Sequence, residues 1–149
     1  MFNESLKLKG RVGIVVKDKD GNVKETRQAE NLVVDTGLDY IASRMKDAAA
    51  TAMTHMGLGT GTTSAAAGDT ALETPAGSRE LLDSTTVTDN TITYVSDFEA
   101  GDVTGAITEA GIFNAASSGT MLCRVTFSAV NLTSSDSISV NWTITLSAS

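Results

Sequence analysis

The chain has 149 residues, of which 41% are hydrophobic and 5% aromatic, with a single proline. This suffices for one compact core of aliphatic side chains, and no run approaches the roughly 20 apolar residues of a membrane helix, so we expect no membrane partner. The net charge of −7 is unevenly distributed. Residues 1–50 contain nine basic and eight acidic side chains, whereas residues 51–149 contain two basic and ten acidic ones. This distribution argues against the basic surface that nucleic-acid binding requires, so we expect no nucleic-acid partner.

Residues 6–17 alternate between apolar and basic side chains, which is typical of a strand with one buried face. The turn-forming segment Asp18–Asn22 follows, and residues 23–34 predict the return strand of a hairpin. The buried face of the first strand would hold Leu6, Leu8, Val12, Ile14 and Val16, and its basic face Lys7, Lys9, Arg11 and Lys17.

The segment from Asp35 predicts the one helix of the chain. Asp35 or Thr36 would cap its first turn, and Arg44 and Lys46 suit the negative end of the helix dipole. An apolar stripe at helical spacing is expected to pack on a sheet, and it consists of Leu38, Ile41, Ala42, Met45 and Ala49.

The remainder of the chain predicts short strands. Residues 53–70 begin as a strand and end as a loop of small residues. The last strand alternates most strictly and carries Trp142, the largest predicted core anchor, together with Ile138, Val140, Ile144 and Leu146. The four strands between them are predicted at Glu80–Val87, Thr91–Phe98, Ile107–Phe113 and Thr120–Ser128.

These elements predict a mainly β fold, an antiparallel β-sandwich or barrel-like sheet with an N-terminal β-hairpin and one α-helix. The hairpin and helix (residues 1–50) would pack beside a sandwich body (residues 51–149), and the two parts would form one compact unit.

Residue types that carry chemistry are scarce. The single histidine, His55, has no evident partner, and the single cysteine, Cys123, shares its parity with apolar neighbours and is predicted to be buried. A lone cysteine forms no internal disulfide, and the first residues lack the pattern of a secretory signal, so we expect folding in a reducing cytoplasm. We expect no enzyme, cofactor or metal.

Three patterns nevertheless suggest sites. The glycine-rich run Gly57–Thr62 lacks the lysine of a nucleotide-binding loop and predicts a turning loop instead. Three carboxylates, Asp97, Glu99 and Asp102, could bind a hard cation or form a solvated acidic loop. Glu80 and Glu109 could converge as the carboxylate pair of a glycan depolymerase, and the sequence leaves this alternative open.

Several phrases of the sequence resemble a family of small structural proteins from tailed bacteriophages, some of them tail-fibre-like. The resemblance covers nearly the whole chain, and its motifs carry no catalytic signature. The phrases are Asn31–Ala42, Gly57–Thr63, Ala67–Leu72, Ile107–Ala115, Gly119–Phe127 and Asp136–Ile144.

The resemblance implies a virion component, made in the bacterial host cytoplasm, with other phage structural proteins as partners. The favoured role is a capsid cement (decoration) protein on the major capsid protein, since this chain is short, has no shaft repeat and carries a basic hairpin beside an acidic body. Such proteins are commonly trimers, so we expect a homo-oligomer such as a trimer. The alternative is a tail, baseplate or tail-fibre accessory protein that binds either other tail proteins or a host-surface glycan through residues 57–64 and 97–102. The charge split predicts contact residues Leu6, Lys7, Lys9, Arg11, Lys17 and Lys19.

Overall fold

The computed structural model describes residues 5–46 and 51–148, which contain nine strands and one helix. The helix, α1, spans Asp35–Met45. The strands are β1 (Leu6–Lys17), β2 (Val23–Val33), β3 (His55–Gly59), β4 (Pro75–Leu81), β5 (Ser84–Thr88), β6 (Thr91–Phe98), β7 (Gly105–Phe113), β8 (Met121–Leu132) and β9 (Ser137–Ala148).

All nine strands form one antiparallel sheet in the order β4-β3-β7-β8-β2-β1-β9-β6-β5. Its two edge strands, β4 and β5, are consecutive in the chain and are joined only by Leu82 and Asp83. Because two residues cannot cross a flat sheet of nine strands, the sheet must curl until its edges approach each other. The predicted fold class, a barrel-like antiparallel sheet with an N-terminal hairpin and one helix, is confirmed.

The N-terminal hairpin lies within this sheet, whereas the sequence predicted that it packs beside it. Strand β1 pairs with β9 along its whole length, from Leu6 opposite Ala148 to Lys17 opposite Ser137. On its other side β1 pairs with β2, which in turn reaches β8. The first and last of these strands are therefore neighbours in the interior of the sheet.

The core fills the inside of the curled sheet. Trp142 on β9 is fully buried and lies between Val12 of β1 and Tyr94 of β6, its direct partners in the register. The predicted alternation of β9 and of the second half of β1 is confirmed. Leu6, predicted inward, is 60% exposed, because it lies at the open end of the sheet.

One predicted strand is divided in two. The sequence predicted a single strand at Glu80–Val87, but β4 ends at Leu81 and β5 begins at Ser84. The chain changes sheet edge at this point, and the Asp83 amide donates to the Val95 carbonyl of β6 at 2.8 Å. Propensity alone does not reveal such a change of partner.

The helix begins where the sequence predicted, but neither its cap nor its buried face is as expected. The Val34 carbonyl accepts from the Leu38 amide, and the Thr36 hydroxyl donates to the Met121 carbonyl instead of capping the helix. Gly37 is buried against β8, so close to the Leu122 carbonyl that any side chain at this position would collide with it. This close approach turns most of the predicted stripe outward: Leu38, Ala42 and Met45 are exposed, Ile41 is half-buried, and Ala49 lies outside the described residues.

The seam between β2 and β8 is held mainly by side chains. Only two residue pairs connect these strands in the ladder, at Leu32 and Val33 of β2. Beyond them, Arg27 donates to the carbonyls of Ser128 and Ala129 at 3.2 and 2.9 Å. Lys24 closes the far end with an ion pair to Asp136, 2.7 Å from Nζ to Oδ2.

This ion pair makes stability depend on pH. The hydrogen bond from Lys24 and the amide of Thr133 lower the pKa of Asp136 below its ordinary value. A lowered pKa in the folded state contributes stability above the ordinary value and loses it as pH falls through the folded value. We expect Asp136→Asn to be less stable than the parent at pH 7, with the difference shrinking below about pH 4.

Urea unfolding of both proteins between pH 2.5 and 7 measures this difference. The control is Asp20→Asn in the exposed hairpin turn, for which we expect a change below about 0.5 kcal/mol throughout. An Asp136→Asn deficit that stays constant with pH would contradict the assignment.

Candidate interaction surface

The basic residues predicted as contacts form a row on the outer face of the sheet. Lys7, Lys9, Arg11 and Lys17 are exposed and alternate with the inward residues of β1. From Lys7 to Lys17 the row extends over about 33 Å of strand. The structure does not bring all six predicted residues together: Leu6 lies on the opposite side of β1, and Lys19 lies in the hairpin turn.

The strands beside this row present uncharged polar side chains. On β9 the outward positions are occupied by serine, threonine and asparagine, and β6 continues the pattern with Thr91 and Thr93, whose hydroxyls lie 3.5 and 3.2 Å from those of Thr145 and Thr143. On the other side, Glu30 approaches Lys9 at 3.9 Å, and both side chains are about three-quarters exposed. An ion pair this exposed contributes little, so Lys9 remains available to an external carboxylate.

A depression crosses the middle of this outer face at Gly13. Its direct partners in the register are Gln28 on β2 and Asn141 on β9, so a carboxamide flanks each side. The open space measures about 500 Å³ and is lined further by Val15, Thr26 and Ser139. We call this depression the Gly13 trough. The sequence shows the glycine, but the flanking amides become neighbours only through the strand order.

A buried ion network fixes the long connection between β3 and β4. Glu109 on β7 is fully buried, and Arg124 on β8, 2% exposed, donates to it from Nε and from one terminal nitrogen at 2.9 and 2.8 Å. Arg124 also contacts Asp69 at 2.9 Å. Burial disfavours the charged guanidinium, but the hydrogen bonds to Glu109 and Asp69 outweigh it and raise the pKa of Arg124.

The same network binds the backbone of that connection. Glu109 accepts hydrogen bonds from the amides of Gly61, Glu73 and Thr74 at 3.2, 3.1 and 2.8 Å. Glu73 accepts from the Thr62 amide at 2.9 Å, and the hydrogen bonds from Thr63 and Thr62 lower its pKa. Gly61 is buried. The predicted small-residue loop is therefore held against the sheet at both of its ends, by the amides of Gly61, Glu73 and Thr74.

The residues considered for catalysis are not brought together. His55 pairs with Phe113, whereas Cys123 pairs with Ile112, so the two side chains lie on opposite faces of the sheet. Burial raises the pKa of the Cys123 thiol, which is fully enclosed. Glu80 shares the face of Met56, the opposite one from Glu109, so these carboxylates do not converge either.

Two of the three carboxylates of the acidic segment, those of Asp97 and Asp102, accept hydrogen bonds within the chain, and Glu99 is exposed. Asp102 accepts from the Glu99 amide at 2.8 Å and so closes the turn after β6. Asp97 accepts from the Ser139 hydroxyl at 2.5 Å. Within residues 5–46 and 51–148, no group of three or more histidine, cysteine, aspartate or glutamate side chains is arranged to hold a metal ion.

A second concave region lies at the open end of the curled sheet, under α1. This apolar cavity measures about 330 Å³ and is lined by Leu8, Tyr40, Ile41, Tyr94 and Leu146, among others. Burial raises the pKa of the Tyr94 hydroxyl. Ala52 and Arg44 also line the cavity, and the chain between them includes residues 47–50, outside the described part.

A scan against protein-family models found no match to this chain, and searches of curated proteins and of solved structures found none. Among the described residues, no helix has the length and apolar character needed to cross a bilayer. The fold and surface define a mainly β protein with a polar outer face that carries a row of cations.

Proposed function

We propose that this protein is a structural component of a bacteriophage virion, made in the host cytoplasm, and most specifically a capsid cement protein that docks on the major capsid lattice. The observation that carries the proposal is the outer face itself. Four cations of β1 lie there beside the serine, threonine and asparagine side chains of β9. Such a face can bind carboxylates of a neighbouring protein and hydrogen-bond to its backbone.

The action of the protein would be mechanical. Each copy buries polar and charged surface against adjacent subunits, and a contact of roughly 1,600 Å² is the usual size for a specific interface. Many copies on one shell multiply a modest affinity, particularly when the copies are themselves linked as homo-oligomers. The acidic remainder of the chain keeps the exposed side of the assembly soluble.

In the alternative function, a tail or baseplate accessory protein, residues 57–64 and 97–102 would form the recognition surface. In the structure Gly57 and Gly59 belong to β3, and the carboxylates of Asp97 and Asp102 bond to groups of their own chain. These contacts favour the outer face of β1 over either segment as the docking surface.

The proposal predicts the effect of removing the cation row. We expect the triple variant Lys7→Gln, Lys9→Gln, Arg11→Gln to fold normally but to occupy purified virions at least tenfold less, because three contacts to partner carboxylates are lost. Occupancy is measured by quantitative mass spectrometry of particles assembled with each variant.

The matched control carries the same change in net charge at exposed positions of the β3–β4 connection: Ser64→Glu, Thr70→Glu, Ala71→Glu. This variant should retain parental occupancy. Equal occupancy of all three proteins removes the cation row from the proposal, and absence of the parent protein from virions removes the proposed function.

A further inference from the structure

Within the described strands, Gly13 is the one glycine without an internal reason. Side chains at Gly10 and Gly59 would collide with Asn31 and Glu109, and those at Gly57 and Gly111 would crowd Leu72. Gly77 and Gly105 have positive φ values, which disfavour other residues. A Cβ on Gly13 would find only the Asn141 carbonyl, at the ordinary contact distance of 3.9 Å.

The missing side chain carries a cost at this position. Gly13 lies in the middle of β1, which is hydrogen-bonded on both sides, and its φ is not positive. Glycine in a strand interior loses more backbone freedom on folding than other residues and offers nothing to pack. Pairing is regular on both sides of Gly13, so the glycine does not mark a bulge. The close approach of a ligand or of another backbone is a further use of glycine within strands.

The Gly13 trough has the dimensions of an extended polypeptide. Gln28 and Asn141 lie one strand away on either side, so they are separated by roughly 9–10 Å, twice the strand spacing. Each carboxamide offers both a donor and an acceptor, which matches the alternating groups of a main chain. Arg11 and Lys17 stand about 20 Å apart along β1, one on each side of the trough, and would meet acidic side chains spaced by about six residues.

We infer that the Gly13 trough receives an extended acidic segment of a neighbouring virion protein, whose main chain passes over Gly13 between Gln28 and Asn141. This inference rests on the proposed function and names the point of contact. A protein segment is favoured over a glycan because the trough lining contains no aromatic side chain, the platform on which sugar rings pack. The cations Arg11 and Lys17 lie on β1 beyond its two ends and favour an acidic segment.

The test is Gly13→Val, which places the side chain of a strand-favouring residue on the floor of the trough, where the main chain of the partner would pass. We expect the variant to be at least as resistant to urea as the parent, because the space is open and valine suits a strand. We expect its occupancy on purified virions to fall at least tenfold. The control, Ser84→Val, adds similar bulk on exposed β5, outside the trough, and should leave occupancy unchanged.

The possible outcomes distinguish failure of this inference from failure of the proposed function. Parental occupancy of Gly13→Val overturns the inference but leaves the proposed function standing, whereas absence of the parent from virions overturns both. Normal virion occupancy with reduced adsorption to host cells would assign the trough to a surface glycan and also overturns the inference. If Gly13→Val fails to fold, Gly13→Ala is tested in its place, and unfolding by a single methyl group would contradict the open space on which the argument depends.

Discussion

Replacing Arg124 with methionine is expected to destabilise the protein by about 3–5 kcal/mol, the usual cost of breaking a buried ion pair from one side. Glu109 would remain fully buried without its cationic partner. Asp69 would lose its ion pair with Arg124 as well. The hydrogen bonds from the amides of Gly61 and Thr74 to Glu109 would weaken, because Arg124 no longer holds that carboxylate in place. The effect should therefore appear both in global stability and in the order of the β3–β4 connection.

Urea unfolding gives the first quantity, and hydrogen exchange at the amides of Gly61 and Thr74 gives the second. The control is Arg11→Met on the exposed face of β1, for which we expect a change below about 0.5 kcal/mol. The double variant Glu109→Gln, Arg124→Met removes both charges and should recover part of the loss. A single variant as stable as the parent would show that the network contributes nothing net.

Truncation of Trp142 to alanine is the second large effect. This side chain is fully buried at the centre of the sheet, so its removal leaves a cavity that the rigid strands on both sides cannot close. Large aromatic truncations of this kind cost about 3–5 kcal/mol. We expect a corresponding fall in the urea midpoint with an unchanged slope.

Two neighbouring substitutions separate volume from polarity. Trp142→Phe keeps most of the volume and removes the Nε1 group, which is buried and lacks a hydrogen-bond partner, so we expect a loss of about 1 kcal/mol. Thr143→Ala, the next residue but on the outer face, should cost less than about 1 kcal/mol. A Trp142→Ala loss no larger than that of Thr143→Ala would contradict the position assigned to the ring.

The strands that the sequence predicted well are those with one clear buried face. β9 alternates strictly and β6 does so except at Val95 and Ser96, and the structure places both strands where their periodicity indicates. The helix shows the limit of periodicity. Its apolar stripe was expected to pack, but Gly37 and the Leu122 carbonyl determine which face lies against the body, and Leu38 and Met45 are left exposed. A contact with a single carbonyl across the fold is invisible in a local pattern.

The buried network has a signal in the sequence, but it depends on knowing which strands are neighbours. Glu109 interrupts the apolar run of β7, and Arg124 interrupts that of β8. Opposite charges within two neighbouring apolar strands predict a buried pair, once those strands are known to be adjacent. Asp69 and Glu73 gave no such signal, because a loop of small polar residues does not indicate which of its carboxylates will fold back.

The pairing of β1 with β9 also governs when the molecule can form. Strand β1 leaves the ribosome more than a hundred residues before β9, so Leu6 must wait for its partner, Ala148. Such distant pairing slows folding, and a nascent chain halted before β9 exposes the inner side chains of β1 and β6. Newly made copies are therefore vulnerable to aggregation until β9 has been synthesised, and chaperone dependence should concentrate in that interval.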